Sequence, residues 1–443
     1  MTPFGTLPAS ATIPPAIDRV DAAWLLVATA LVLLMAPGLA FFYGGLVRAK
    51  NALNTIMMAL GAFVAASVAW IVAGYSLAFA PGGAALGGLD WLALAGVGLE
   101  PRGTVPHLLF FAFQTTFAGI TVALVSGALV ERMRFGAWLA FSALWTIVVY
   151  APICHWIWGG GWLARLGALD FAGGAVVHVN AGAAALVAAS RLGPRRDWGR
   201  QALLPHSVPL VLLGAGLLWF GWFGFNAGSA VAVNDAAVVA FVNTLLAPIA
   251  ALAAWMALDA ARTGRVTAVG AATGIVVGLV AVTPAAGFVS PRGALAIGAL
   301  AALPSYFALL ARGRSRLDDS LDVVAAHGIG GVSGAMLTGV FASAAWGGTA
   351  GLLEGNPALV LRQAAAVAAT ILWSAGGTTA ILALLARFAP LAADARVQAR
   401  GLDVALHGEE AYGTGEGAIL VLAPAAPPAR TAELVPDGAA VEA

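Results

Sequence analysis

The chain has 443 residues, of which 61% are apolar and 10% charged, and its formal net charge is +1. A soluble domain carries roughly 25% charged and about 45–50% apolar residues, so the composition excludes an ordinary soluble fold and points to a polytopic membrane protein. The near-zero net charge gives no bulk attraction to nucleic acid, and the single cysteine, Cys154, permits neither an intrachain disulfide nor a zinc framework.

Residues 1–21 are rich in Pro, Ala and Thr and lack a basic start followed by an apolar run, so no signal peptide is read there. A membrane span needs about 20 apolar residues. By that measure eleven spans follow, at about 22–47, 52–80, 105–130, 136–157, 171–190, 207–229, 236–258, 266–282, 293–311, 323–344 and 358–388. Residues 81–104 form a Gly-rich loop, and the chain turns polar after Arg387. The domain reading is an external segment 1–21, a membrane domain 22–388 and a cytoplasmic tail 389–443.

Lys and Arg in short connections mark the cytoplasmic side. One set of alternate loops holds Arg48, Lys50, Arg132, Arg134, Arg191, Arg195, Arg196, Arg200, Arg262, Arg265, Arg312, Arg314 and Arg316, and Arg387, Arg396, Arg400 and Arg430 follow on the same side. That is 17 against five on the other side: Arg19, Arg102, Arg165, Arg292 and Arg362. The expectation is an N-terminus outside and a C-terminus in the cytoplasm.

Asp170 precedes His178 by eight residues, and Asp319 precedes His327 by eight. At about 1.5 Å per residue, eight helical residues reach ~12 Å into a core ~30 Å thick. Entering from opposite faces in spans five and ten, both imidazoles would approach the midplane. That is the pattern of an inverted repeat with a central site. The repeats would be about 22–190 and 207–344, with 358–388 left over. Two unrelated histidines packed between helices is the plainer alternative, although ionisable groups inside a bilayer usually mark a pathway. A metal site would need further ligands, which these spans lack. An intramembrane hydrolase would need a nucleophile motif, and none stands beside the histidines. Glycines flank both, including a GxxxG at Gly330 and Gly334 that favours close packing.

Phe113 and Phe117 share a helix face, and Trp222, Phe225 and Ser229 follow at helical spacing. Trp158 opens the run WGGG. Such rings serve as core or interfacial belt. With Ser229 they also suit a cage for a small cation, because a ring face attracts a cation by about 0.5–2 kcal/mol.

These stretches resemble the ammonium transporter/methylammonium permease/Rh family, most closely its bacterial ammonium transporters. The resemblance is carried in order by FFYGGLVRAKN (41–51), FQTTFAGITVAL (113–124), GALVERMRF (127–135), HWIWGGGWL (155–163), DFAGGAVVHVNAG (170–182), GWFGFNAGSA (221–230), AFVNT (240–244), VTPAAGF (282–288), HGIGG (327–331) and GLDVALHGEEAY (401–412). It implies an all-α fold of eleven transmembrane helices, a 5+5 inverted repeat plus one C-terminal helix. It also implies a homotrimer in the cell (inner) membrane with one pore per subunit.

By resemblance, Trp158, Phe113 and Ser229 form an outer ammonium site, and Phe117 and Phe225 a gate below it. His178 and His327 are twin pore histidines with Trp222 beside them, and Asp170 supports transport without being a ligand. The permeant is ammonium or ammonia, with methylammonium as an analogue. No cofactor, metal or catalytic residue is implied, and the protein is not an enzyme. A PII-family signal protein is the implied partner at the cytoplasmic face, which includes the basic loop 191–207. A Rh-like electroneutral ammonia channel and an ammonium sensor acting through a separate partner are the alternatives.

Asp170 is read as an N-cap for the amides of residues 171–174 whose charge also favours cations; full activity of Asp170→Asn would single out the cap. Asp319 and Asp322 are read as caps or as partners of Arg314 or Arg316. Two features depart from the family pattern: no cleavable signal is visible, and PHS (205–207) stands where PHN is common. The Ala/Pro-rich stretch 414–443 is read as flexible, with AILVLAP a segment that could dock.

Overall fold

A computed structural model describes residues 16–413; residues 1–15 and 414–443, with the readings made for them, lie outside. The predicted spans are all helical. They are α1 (Arg19–Leu46), α2 (Ala49–Phe79), α3 (His107–Ser126), α4 (Phe135–Leu166, broken at the glycine run 159–161), α5 (Gly174–Leu192), α6 (Val208–Gly228), α7 (Asp235–Thr263), α8 (Ala268–Val282), α9 (Pro291–Arg312), α10 (Val324–Phe341) and α11 (Ala358–Leu385). Ten of them have the length and hydropathy of a membrane span, and α8, at 15 residues, is shorter. Two short tail helices follow, α12 (Ala395–Arg400) and α13 (Leu402–His407). The predicted loop 81–104 is irregular and ends in a two-stranded hairpin, β1 (Pro101–Arg102) and β2 (Val105–Pro106).

The two halves use the same neighbours. Helix α2 packs on α3 and α4, and α7 packs on α8 and α9. The counterparts α1 and α6 run along each other, as do α5 and α10. This is the arrangement expected of a five-plus-five repeat, with α11 added against α5 and α10. The largest buried side chains include Trp70, Trp138 and Trp145 on α2 and α4, and Phe113, Phe117, Trp222 and Phe225 on α3 and α6.

Small residues set the central approach. Gly182 of α5 lies against Gly328 of α10 so closely that a Cβ at 182 would overlap the Gly328 backbone. The GxxxG pair of α10 serves a different contact: Gly334 abuts Ala281, and Gly330 faces Val280, both on α8. Gly182→Ala is expected to destabilise the protein by about 1–3 kcal/mol through overpacking. Thermal unfolding in detergent checks this, and an unchanged midpoint would show that the crossing relaxes freely.

The tail folds back onto the loops between helices. Asp403 accepts from the amides of Leu53 and Asn54 at 3.0 and 2.7 Å, at the N-terminal end of α2. His206 Nε2 meets the Tyr412 hydroxyl at 2.8 Å. Ser207, one of the two departures, caps α6 through Leu210 N at 3.5 Å. Serine and asparagine cap about equally well, so the exchange is conservative.

Candidate functional site

Both histidines sit in π-helical turns, Gly174–Val179 and Val324–Ile329, rather than in regular α-helix. Such bulges shift the hydrogen-bond register by one residue and recur at functional positions. The estimate of eight helical residues from aspartate to histidine is therefore corrected. Residues 168–173 are not helical, and Gly173 takes φ +116°. Helix α5 begins inside the protein, and His178 stands within its first turns.

Asp170 makes that start possible. Its Oδ1 accepts from Gly173 N at 2.9 Å and Gly174 N at 2.5 Å, and its Oδ2 from Ala175 N at 2.8 Å and Val176 N at 3.0 Å. The capped set is thus 173–176 and not 171–174; Phe171 N donates to Pro284 O instead. A negative charge at a helix N-terminus is doubly favoured, by hydrogen bonds and by the helix dipole. The Asp170 carbonyl also accepts from Trp158 Nε1 at 2.8 Å, which ties the cap to the outer tryptophan.

Asp319 has the equivalent place before α10 but a thinner role. Its Oδ2 accepts from Val324 N at 2.7 Å. Arg312 pairs with Asp322, so neither expected partner, Arg314 or Arg316, holds these carboxylates.

From the Trp158 end the rings stand in sequence. Phe117 touches Trp158 edge-on at 5.8 Å and Phe113 at 5.0 Å between centroids, and stacks on Phe225 at 4.2 Å and 22°. The Ser229 hydroxyl, at the end of α6, donates to Phe225 O one turn back in the same helix at 2.8 Å. Next comes His178, 6.1 Å from Phe225 and stacked on Trp222 at 5.4 Å. His178 and His327 face each other with Nδ1 to Nδ1 at 3.2 Å. They are 1% and 4% exposed, so the pair lies inside the protein and not on a lipid-facing surface.

The space beside the histidines is small. A cavity of about 10 Å³ is bounded by both rings, Trp222, Phe225 and apolar side chains including Met35, Leu124, Val177 and Leu218. Beyond His327 it gives way to a vestibule of about 310 Å³ that reaches Asp259, Arg262 and Asp322. Among the described residues no three His, Cys, Asp or Glu side chains gather as a metal-binding set.

Several supporting residues were not singled out from sequence. Thr283 accepts from Trp222 Nε1 at 2.9 Å and fixes that ring. Gln363 of α11 bonds Leu169 on both its carbonyl and amide, and Ala335 as well. A glutamine in an apolar span was a visible signal. Glu131 and Arg132, inside the quoted GALVERMRF, are 1% exposed and carry a buried ionic cluster. Burial pushes the Glu131 carboxyl up, but Arg195 and Arg48 outweigh it and hold the group below the ordinary glutamate range.

A bundle of apolar helices around a narrow, ring-blocked constriction defines a polytopic membrane transport protein. The sequence model of the Ammonium Transporter Family matches residues 23–412. The Aquifex aeolicus protein named ammonium transporter is 50% identical over 401 residues, covering 89% of this chain and 94% of that one. The Bacillus subtilis ammonium transporter is 45% identical over 398 residues, covering 88% and 98%. The crystal structure of Candida albicans Mep2 superposes with a TM-score of 0.80 at 38% identity, covering 84% of this chain and 85% of that one. A structure described as a sensor Amt protein superposes with a TM-score of 0.82 at 30% identity, covering 87% and 98%. The chain belongs to the ammonium transporter family.

Proposed function

We propose that the protein transports ammonium by recruiting the cation at Trp158, Phe113 and Ser229, removing its proton near the Phe117/Phe225 gate, and passing ammonia along His178 and His327. The observation that carries this is the cavity of about 10 Å³ shared by two imidazoles below a stacked pair of rings. Stripping water from a bare cation costs far more than stripping it from neutral ammonia. Ammonium resembles potassium in size but can shed a proton, and potassium cannot. A constriction that neither hydrates nor neutralises a cation therefore discriminates by chemistry and not by radius.

The pair suits a neutral permeant. With both rings neutral, one Nδ1–H donates to the other Nδ1. The donor ring then has a lone pair on Nε2, and the acceptor ring an Nε2–H. His178 Nε2 has no protein partner among the described residues. The pair thus offers one donor and one acceptor, which suits ammonia and suits a proton relay. Trp222, held by Thr283, stacks on the His178 ring and fixes its orientation.

The orientation proposed is the N-terminus outside and the tail in the cytoplasm, supported by the 17 to five division of basic residues (22 in all). The domain limits 22–388 and 389–443, the homotrimer and a PII-family partner at the tail face belong to the same reading, supported by the family resemblance. The test is current across a solid-supported membrane after an ammonium jump, compared with an equal potassium jump. Ammonium is expected to give a current and potassium none. Equal currents would end the reading, and ammonium uptake without current would select the electroneutral channel.

A further inference from the structure

His155 is 1% exposed and stands outside the pore lining, in the last turn of α4 before the glycine run. Its Nδ1 lies 2.9 Å from Ala78 O and its Nε2 lies 2.9 Å from Gly83 O. A carbonyl oxygen only accepts, so both contacts are hydrogen bonds only when both ring nitrogens carry protons. The neutral ring has one N–H and sets a lone pair against the other oxygen. The surroundings favour the cation. Ala78 O is among the last carbonyls of α2, which the helix leaves without a donor. His155 itself stands at the C-terminal end of a helical segment. Two helix C-termini, the negative ends of their dipoles, thus meet at one ring.

The ring joins the outer loop to the turn that carries Trp158. The His155 carbonyl accepts from Gly159 N and Gly161 N, both at 3.0 Å, which folds the glycine run back. The loop also bonds α4 on either side of Trp158: Trp156 Nε1 donates to Ala85 O at 2.8 Å, and Trp162 N to Ala84 O at 3.0 Å. A Cβ at Gly159 would overlap both Ala78 O and the His155 ring, so the approach is as close as glycine permits. Among the described residues His155 has no carboxylate within ion-pair distance. Of the titratable and charged groups around it, α2 brings Tyr75, the loop Asp90, Glu100 and Arg102, and α4 Cys154 and Arg165. Glu100 pairs with His107 at 2.7 Å, and Arg102 lies over Phe79, Trp91 and Phe110. At the entry to α5, Asp170 is taken by four amides and His178 by His327. The two backbone carbonyls, and no counter-ion, therefore answer the His155 ring.

We propose that His155 is a positioning residue of the outer ammonium site: with both nitrogens protonated it clasps α2 and the loop at Gly83 to the turn that carries Trp158, and on losing one proton it releases one of the two. The proposal rests on the outer-site reading above. The sign follows from the count of donors. The clasp is complete while the ring holds both protons, and it loses a bond as pH rises through the titration of the ring. Trp158 is then less firmly placed, and ammonium is held less well in alkaline than in acidic medium, beyond what ammonium's own loss of a proton accounts for.

The test combines solid-state NMR of the ring nitrogens with ammonium currents, both on the full chain in lipid bilayers. Cys154 is the only cysteine, so the Cys–His pair is unique, and labelling cysteine carbonyls together with histidine assigns His155 without a substitution. Two N–H signals are expected in acid, one of them giving way to a bare nitrogen as pH rises through about 5–8. Over the same range the KM, expressed as ammonium ion, is expected to rise about five-fold at constant maximal current, the weight of about one hydrogen bond. His155→Gln, which cannot titrate, is expected to lack that rise. His107 and the pore histidines contribute equally to both proteins, so the difference belongs to residue 155. If His155→Gln fails to fold, the wild type decides: NMR and KM midpoints more than about one pH unit apart would sink the proposal. Ring signals that do not change over this range, or a KM with the same pH dependence in wild type and variant, would overturn it too. A wild-type protein that passes no ammonium would instead fail the outer-site reading and leave the NMR result to judge the clasp.

Discussion

The double variant His178→Ala, His327→Ala is expected to lose at least about 100-fold of its ammonium current per folded protein, the lower end of what a positioned proton-transfer group contributes. Two effects combine. The substitution removes the donor and acceptor that face the permeant. It also replaces two rings by methyl groups around a cavity of about 10 Å³, giving room for several waters where the wild type admits about one water-sized body. Whatever conductance survives should discriminate less against potassium, because a hydrated passage no longer requires the ion to give up its charge. Membrane currents in ammonium and in potassium, normalised to protein, read both parts. A selective ammonium current unchanged in the double variant would remove the imidazoles from the mechanism.

Asp170→Ala is expected to abolish transport and to lower the thermal stability of the protein. Four amides, at Gly173, Gly174, Ala175 and Val176, lose their acceptor at a site only 8% exposed. Each orphaned buried amide costs about 1–3 kcal/mol. Trp158 loses the fixed carbonyl that orients it as the 170–173 segment relaxes. The structure also changes the meaning of Asp170→Asn. One asparagine oxygen can serve Gly173 and Gly174, but its NH₂ would then face the amides of Ala175 and Val176, donor against donor. Asparagine restores at most half of the cap, so partial loss is expected from geometry alone. Wild-type unfolding temperature and uptake in Asp170→Asn would refute this account.

The spans were legible because an apolar run long enough to cross a bilayer is rare in a water-soluble fold. The boundaries shifted by about five residues or fewer except at α4, which resumes after the glycine run and continues to Leu166. The aromatic positions were legible as helical spacings. That Phe117 stacks on Phe225 was not, because the two lie on different helices and spacing within one helix says nothing about rotation between two. The π turns were invisible because a one-residue change of register has no compositional mark. The non-helical entry 168–173 was hidden for a related reason: Asp-Phe-Ala-Gly-Gly also reads as an ordinary helix start. The ionic cluster lay beyond reach because its bonds join residues as far apart as Asn51 and Glu131, or Arg195 and Asp318. GALVERMRF marked the place without disclosing the partners.

The size of the chamber beside the histidines has a kinetic corollary. A space of about 10 Å³ admits about one water-sized body. Two permeants cannot sit there together, so the arrival of one cannot push its predecessor onward as it does in multi-ion channels. Throughput is then governed by how fast the chamber empties and refills, and the flux–concentration curve should level off like that of a carrier with a single occupied state, even though no part of the passage has to swing open.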